Sequence, residues 1–309
     1  MSGTWMVTGA TGLLGANAAL ALAPKARVVG VARHVPTEAP VEIVGVDLSR
    51  SSDREGLIAR IHPDVVFHAA ANASHESCEA QPAAAEELNV AASRDLAEQA
   101  NAIGAKFVYI STDAVFDGVI GGYGESDLPS PTSVYGRTKR DGELAVLEAA
   151  PTALVARVNF FGWSPSGSRS LAEFFVNRLS EGKPAPGFTD VRVSTMYVET
   201  LVDRIRRLVD VDATGIYHVA NDESTTKFEF GRRIARALGV DEELVPPTQS
   251  SDVLSVKRGA DLSLNTQKLR EEFNLPTTQQ NGVDALFQAR ATGRRDALRA
   301  FRSNTVSGE

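Results

Sequence analysis

Tyr135 and Lys139 stand four residues apart in the run Tyr135-Gly136-Arg137-Thr138-Lys139. On a helix that spacing places both side chains on one face. An ammonium beside a phenol stabilises the phenolate and draws its pKa down from about 10. A phenol so tuned passes a proton to or from a substrate oxygen. Upstream, the apolar run Lys106–Ile110 leads into Ser111-Thr112-Asp113. A strand-end hydroxyl such as Thr112 offers the same oxygen a second, orienting hydrogen bond. The tyrosine–lysine spacing also suits an ordinary amphipathic helix start, so its meaning depends on what else the chain carries.

The first fifteen residues supply that context. Trp5-Met6-Val7 leads into Thr8-Gly9-Ala10-Thr11-Gly12-Leu13-Leu14-Gly15, and an alanine-rich segment follows. Strand, glycine turn, helix is the order a dinucleotide site requires. Gly9 allows the tight turn, Gly12 lets the backbone approach a pyrophosphate, and Gly15 lets helix and strand pack closely. Thr11 and Leu13 complete the turn, whose N–H groups and helix dipole favour phosphate charge. The residue ending the second strand meets the adenine-side ribose. A carboxylate there bonds the 2′-hydroxyl of NAD, whereas an arginine accommodates the 2′-phosphate of NADP. The chain has Val31-Ala32-Arg33-His34 and no acid before Glu38, so Arg33 points to NADP(H) as the cofactor. Asp47-Leu48, after the third strand, falls where an adenine edge passes, although Asp47 equally suits a cap for a helix starting near Ser51. A nicotinamide held by these residues would exchange hydride with the carbon whose oxygen Tyr135 serves.

Positioning such groups takes alternating strands and helices. Strand-like runs occur at Met6–Thr8, Arg27–Ala32, Glu42–Val46, Val65–His68, Lys106–Ile110 and Ala153–Arg157, with helical stretches such as Ala83–Ala102 and Tyr135–Ala149 between them. The alternation predicts an α/β fold: a doubly wound parallel sheet of Rossmann type, with ligands beyond the carboxyl ends of the strands. After Phe160 the character changes, with a loop at 162–167, helices near Val198–Val209 and Lys227–Leu238, and a strand near Ile216–Val219. We therefore expect an NADP-binding domain over 1–160 and a smaller C-terminal substrate lobe over 161–290, interleaved with it. A charged tail over 291–309 follows, its end Ser303–Glu309 expected to be disordered.

Composition bounds the function. At 309 residues, 43% hydrophobic and 23% charged, the chain has material for a sizeable core, and its net charge of −7 argues against a general nucleic-acid binder. No run reaches membrane-spanning length and no signal-peptide pattern opens the chain, so a cytoplasmic protein is expected. The single cysteine, Cys78, excludes an intramolecular disulfide. His75, Glu76, Cys78 and Glu79 cluster but fit no familiar zinc spacing, so no metal is expected. His68, closing an apolar strand, reads as a packed, hydrogen-bonded core residue.

Taken together, these motifs resemble the extended short-chain dehydrogenase/reductases, and among them the dTDP-4-dehydrorhamnose reductase family. The matching residues are the turn Thr8–Gly15, His68-Ala69-Ala70-Ala71, Asn89 in Leu88-Asn89-Val90, and Ser111–Gly118. They continue through Glu125-Ser126-Asp127, Pro131, Tyr135–Lys139 and Gly142-Glu143, then more loosely through Arg157, Tyr217-His218 and Lys257-Arg258. The resemblance implies a catalytic triad of Thr112, Tyr135 and Lys139. It adds Ala69, Ala70, Ala71 and Asn89 to the cofactor residues, and a nucleotide-sugar substrate in a cleft between the lobes.

Sugar-nucleotide dehydratases of the same superfamily follow the threonine with an Asp-Glu pair. Here Asp113 is followed by Ala114, which cannot accept a proton, so dehydration is not expected. A reductase needs only a hydride donor, Tyr135 and Thr112; a 4-epimerase uses the same set, and some members of the superfamily serve as regulatory subunits. Asp113, Asn159, Phe160, Trp163 and Arg258 are the expected substrate residues. Two departures bear on the sugar. Gly259 stands where the family usually has a proline, and Val158-Asn159-Phe160-Phe161-Gly162-Trp163 replaces its Arg-Thr-Ser-Trp type run. The expected partners are a nucleotide sugar and, as a homodimer, a second copy of the chain, with neither nucleic acid nor membrane.

Overall fold

The computed structural model describes residues 3–256, 259–273 and 279–302. Seven parallel strands form one sheet: β1 (Thr4–Thr8), β2 (Arg27–Ala32), β3 (Glu42–Gly45), β4 (Val65–His68), β5 (Lys106–Thr112), β6 (Leu154–Val158) and β7 (Gly215–Val219). Their order across the sheet is β7-β6-β5-β4-β1-β2-β3. The direction of winding therefore reverses between β1 and β4, which opens a crevice at their carboxyl ends. The strands alternate between faces. Trp5 and Val7 enter one core layer while Met6, between them, enters the other.

The first layer is closed by α1 (Leu13–Leu22) and by the helix Val198–Asp210. The helix α1 has leucine and alanine on every side and is buried over most of its circumference, the pattern of a helix sandwiched in a core. The opposite layer holds α2 (Ala92–Ala102) and α3 (Val134–Ala149), contributing Leu96, Ala97 and Val146. The helical run expected over Ala83–Ala102 begins at Pro82 and is interrupted by a π-helical turn at Glu87–Ala91. Alanine-rich composition reads the same in both geometries, so the turn left no trace in the pattern.

Residues beyond 160 do not stand apart from the sheet. They supply its edge strand β7, which pairs with β6, and then a helix at Lys227–Leu238 closed by a capping box between Thr226 and Glu229. The charged tail expected from 291 onward includes a helix, Arg294–Arg299, whose Leu298, with Phe301 just beyond it, is fully buried in the layer beside α1. Arginines surround these two apolar residues in sequence and conceal them. The end expected to be disordered, 303–309, lies outside the described residues. Among the described residues no helix is long and apolar enough to cross a membrane.

Candidate active site and nucleotide crevice

The glycine turn sits at the crevice between β1 and β4. Gly9 has a φ of +66°, open to glycine at little cost. A Cβ on Gly15 would lie 2.2 Å from the Gly9 carbonyl oxygen, so helix and turn approach too closely for any side chain there. Beneath them Thr8 joins the two strands. Its hydroxyl accepts the Ala70 N–H at 3.1 Å and lies 2.9 Å from Nδ1 of His68, whose Nε2 is 3.0 Å from Ser93 Oγ. Because Ser93 Oγ donates onward to the Asn89 carbonyl, the network is consistent with a neutral His68 protonated on Nε2. Burial pushes its pKa down to about 3, and the residue has the packed role expected of it.

A cavity of about 200 Å³ follows the crevice, walled by Gly9, Thr11, Gly12, Arg33, Asp47, Leu48 and Ala69–Ala71. The structure thus gathers in one place nine residues read from the sequence as cofactor contacts. Leu13 and Gly15 lie beneath this wall rather than in it. Asp47 caps its own turn, accepting from Ser49 N and Oγ at 3.1 and 2.7 Å, and these bonds chiefly hold its carboxyl below the usual range. The Leu48 carbonyl is fixed by Arg54 at 2.7 Å, which is itself paired with Glu87 and Asp95. Asn89 is fully buried and lines neither the nucleotide cavity nor the cavity at the end of β5. Its side chain accepts from Asn72 N at 2.8 Å and donates to Asn72 O and to Thr138 Oγ1. These bonds brace the walls of the site.

At the end of β5, a second cavity of about 270 Å³ is lined by Thr112, Asp113, Asn159, His75 and Lys227, with Gly259 and Leu262 opposite. Thr112 Oγ1 donates to Asp113 Oδ1 at 3.0 Å, and Asn159 Nδ2 donates to Asp113 Oδ2 at 2.7 Å. Burial raises the Asp113 pKa to about 6 against these bonds. Ser133 caps α3, placing Tyr135 in the first turn, its ring 4.9 Å from that of His75. The expected tuning by lysine is not what the surroundings do. Burial lifts the Tyr135 pKa to about 12, opposed by Thr112, and Lys139 is not among the groups acting on it. Lys139 is itself 2% exposed, with Nζ 3.9 Å above the ring of Tyr109, and desolvation drops its pKa to about 7.

Two expected substrate residues lie elsewhere. Trp163 is 1% exposed in the main core, its indole N–H donating to Leu286 O at 2.9 Å, so no face is left for a sugar. Phe160 pairs with Met196 in a two-residue ladder and packs on the same core. Arg258 lies outside the described residues. Sequence reasoning missed Lys227 and Arg169 as cavity walls. Each adjoins a Thr/Ser-x-x-Glu capping box, which locates a helix entry but says nothing of what lies across from it. Behind the cavity, Arg157 and Glu143 form a buried bidentate pair at 2.9 and 2.8 Å, and Ser111 Oγ donates to the same carboxylate. Among the described residues no cluster of His, Cys, Asp or Glu suited to a metal ion occurs.

The fold and its crevice are those of an extended short-chain dehydrogenase/reductase. Residues 3–291 match the RmlD substrate binding domain, and the chain belongs to that family. It is 34% identical over 233 residues to the methionine adenosyltransferase 2 subunit beta of Rattus norvegicus, covering 72% of this chain and 69% of the relative. With the probable low-salt glycan biosynthesis reductase Agl14 of Haloferax volcanii it shares 31% identity over 254 residues, 80% and 84% of the two chains. Among solved structures, the dTDP-4-dehydrorhamnose reductase of Bacillus anthracis in complex with NADP superposes with a TM-score of 0.83 at 25% identity, covering 93% of this chain and 99% of that one.

Proposed function

We propose that the protein is an NADPH-dependent reductase of the 4-keto group of a nucleotide-activated 6-deoxysugar, acting in the cytoplasm. Residues 1–160 hold the cofactor and 161–290 complete the substrate cavity. The crevice residues fit the cofactor: the glycine turn leaves room no side chain fills, and Arg33 stands at the ribose end. Bound there, NADPH supplies the hydride for the carbonyl carbon. Tyr135 gives its proton to the carbonyl oxygen, and Thr112 turns its hydroxyl from Asp113 toward that oxygen. Lys139, a turn further along the same helix, holds the ribose of the cofactor. The observation that carries this reading is the network of Thr112, Asp113 and Asn159 at the end of β5, on the wall of a cavity that also includes Ser133, the cap of the helical turn bearing Tyr135.

The test is loss of reduced-nicotinamide absorbance with dTDP-4-keto-6-deoxyhexoses, NADPH against NADH. Turnover preferring NADPH supports the proposal, and Tyr135→Phe should cost about a hundredfold or more in kcat. Turnover near wild type in that variant refutes the proton-transfer role. A second reading, a nucleotide-binding regulatory subunit, is favoured by the likeness to methionine adenosyltransferase 2 subunit beta and by a Tyr135 phenol that Lys139 does not tune. It predicts NADPH binding without oxidation and indifference to Tyr135→Phe. A homodimer is the assembly we expect, checked by light scattering.

A further inference from the structure

A third cavity, of about 200 Å³, opens at the ribose end of the nucleotide crevice, between the turn after β2 and the last described residues. Its ionisable walls are Arg33, His34, Arg169 and Arg302, and no carboxylate lines it. Arg33 and Arg169 wall both this cavity and the nucleotide crevice, so the two are continuous. Three arginines from three distant parts of the chain thus line one cavity. Among the described residues none of the three forms an ion pair; Asp47, held down in part by Arg33, is the acid that feels this charge. Like charges repel, so such a cluster favours an anion.

All three side chains are exposed, but the backbone that carries two of them is held by structure. Arg169 directly precedes the capping box of the helix Leu171–Ser180, its N–H donating to Glu173 Oε2 at 2.8 Å. Arg302 follows Phe301, which is fully buried, and its own N–H donates to Arg299 O at 2.9 Å. Arg295 lies over the Trp163 ring at 4.9 Å and ties the same terminal segment to the loop that carries Arg169.

We infer that Arg169 and Arg302 complete with Arg33 a clamp for the 2′-phosphate of the cofactor, making the C-terminal segment a determinant of NADP over NAD. The ligand recognised is a phosphomonoester on the adenosine ribose, which guanidinium groups bind bidentately. The inference rests on the NADP reading above and extends it to two residues no sequence rule identifies.

Calorimetric titration of the full chain with 2′,5′-ADP and with 5′-AMP tests it without any turnover. Wild type should bind 2′,5′-ADP the more tightly. Arg302→Ala and Arg169→Ala should each weaken 2′,5′-ADP by on the order of tenfold, the value of one charge-assisted hydrogen bond, and Arg302→Ala should leave 5′-AMP unchanged. Arg302→Lys should restore part of the loss. Equal weakening of both ligands means the arginines act through packing and overturns the clamp. So does unchanged affinity for 2′,5′-ADP. If wild type itself does not prefer 2′,5′-ADP, the NADP reading has failed, and the clamp with it.

Discussion

Around Tyr135 the protein favours the protonated phenol, with a pKa near 12, while Lys139 a turn away is poised to lose its charge near pH 7. In the direction of reduction this is a usable division: the donor keeps its proton until the oxygen demands it. Raising pH through about 7 removes the Lys139 ammonium proposed to hold the cofactor's ribose, so kcat/KM should fall on the alkaline side, since that profile reports groups of the free enzyme. Lys139→Arg, charged throughout, should move the alkaline limb upward; a limb that stays put detaches Lys139 from the profile. The types and spacing of Thr112, Tyr135 and Lys139 were readable in one dimension. Their electrostatics were not, because desolvation depends on neighbours such as Tyr109 that the chain brings from elsewhere. Gly259 shows a similar limit. A Cβ there would stand 2.7 Å from Asp117 O and 2.8 Å from Gly118 Cα, so the glycine that departs from the family's proline fits a close backbone crossing at the cavity wall.

Among the elements, β1, its turn and α1 were legible because a short apolar run, glycine spacing and an all-round apolar helix each leave a sequence signature. Gly15→Ala should therefore disable this unit. We expect loss of dinucleotide binding by calorimetry together with a lowered Tm, because the new methyl meets the Gly9 carbonyl. The pair of α3 with β5 and β6 was hidden by contrast. Glu143 and Arg157 read as motif residues, but only folding reveals that they are 2% and 1% exposed and joined in a bidentate pair. Arg157→Met leaves the carboxylate buried without its cation, at a cost of about 3–5 kcal/mol. Urea unfolding of that variant and of Glu143→Gln/Arg157→Met measures it; a double variant no more stable than the single one would deny the coupling.

At the scale of the molecule, the parallel sheet followed from strand–helix alternation, whereas the way the second half closes it did not. Phe301 is apolar in a basic stretch, and sequence pattern alone gives no reason to bury it. Phe301→Ala should cost about 3–5 kcal/mol in denaturant unfolding, far more than a side chain in a loose tail. The sheet also sets a pH response through His68. The unfolded chain takes up this proton below about 6.5, while the folded chain refuses it until about 3. Stability is consequently lost as pH falls through that window. Asp113, with its pKa raised from 3.8 to about 6, works the other way between those values, because the folded state then binds the extra proton. The clean measurement is the difference between wild type and His68→Gln in urea, which should move steadily against wild type from pH 6.5 downward.

The contact of α1 with the helix Arg294–Arg299 has a consequence for synthesis. The ribosome makes residues 13–22 at the outset and their final cover only some 270 codons later, on the order of tens of seconds at ordinary elongation rates. Throughout that interval an apolar helix waits beside a half-built sheet whose edge strand is also still to come. The first half therefore cannot reach its final packing until the helix Arg294–Arg299 has been made.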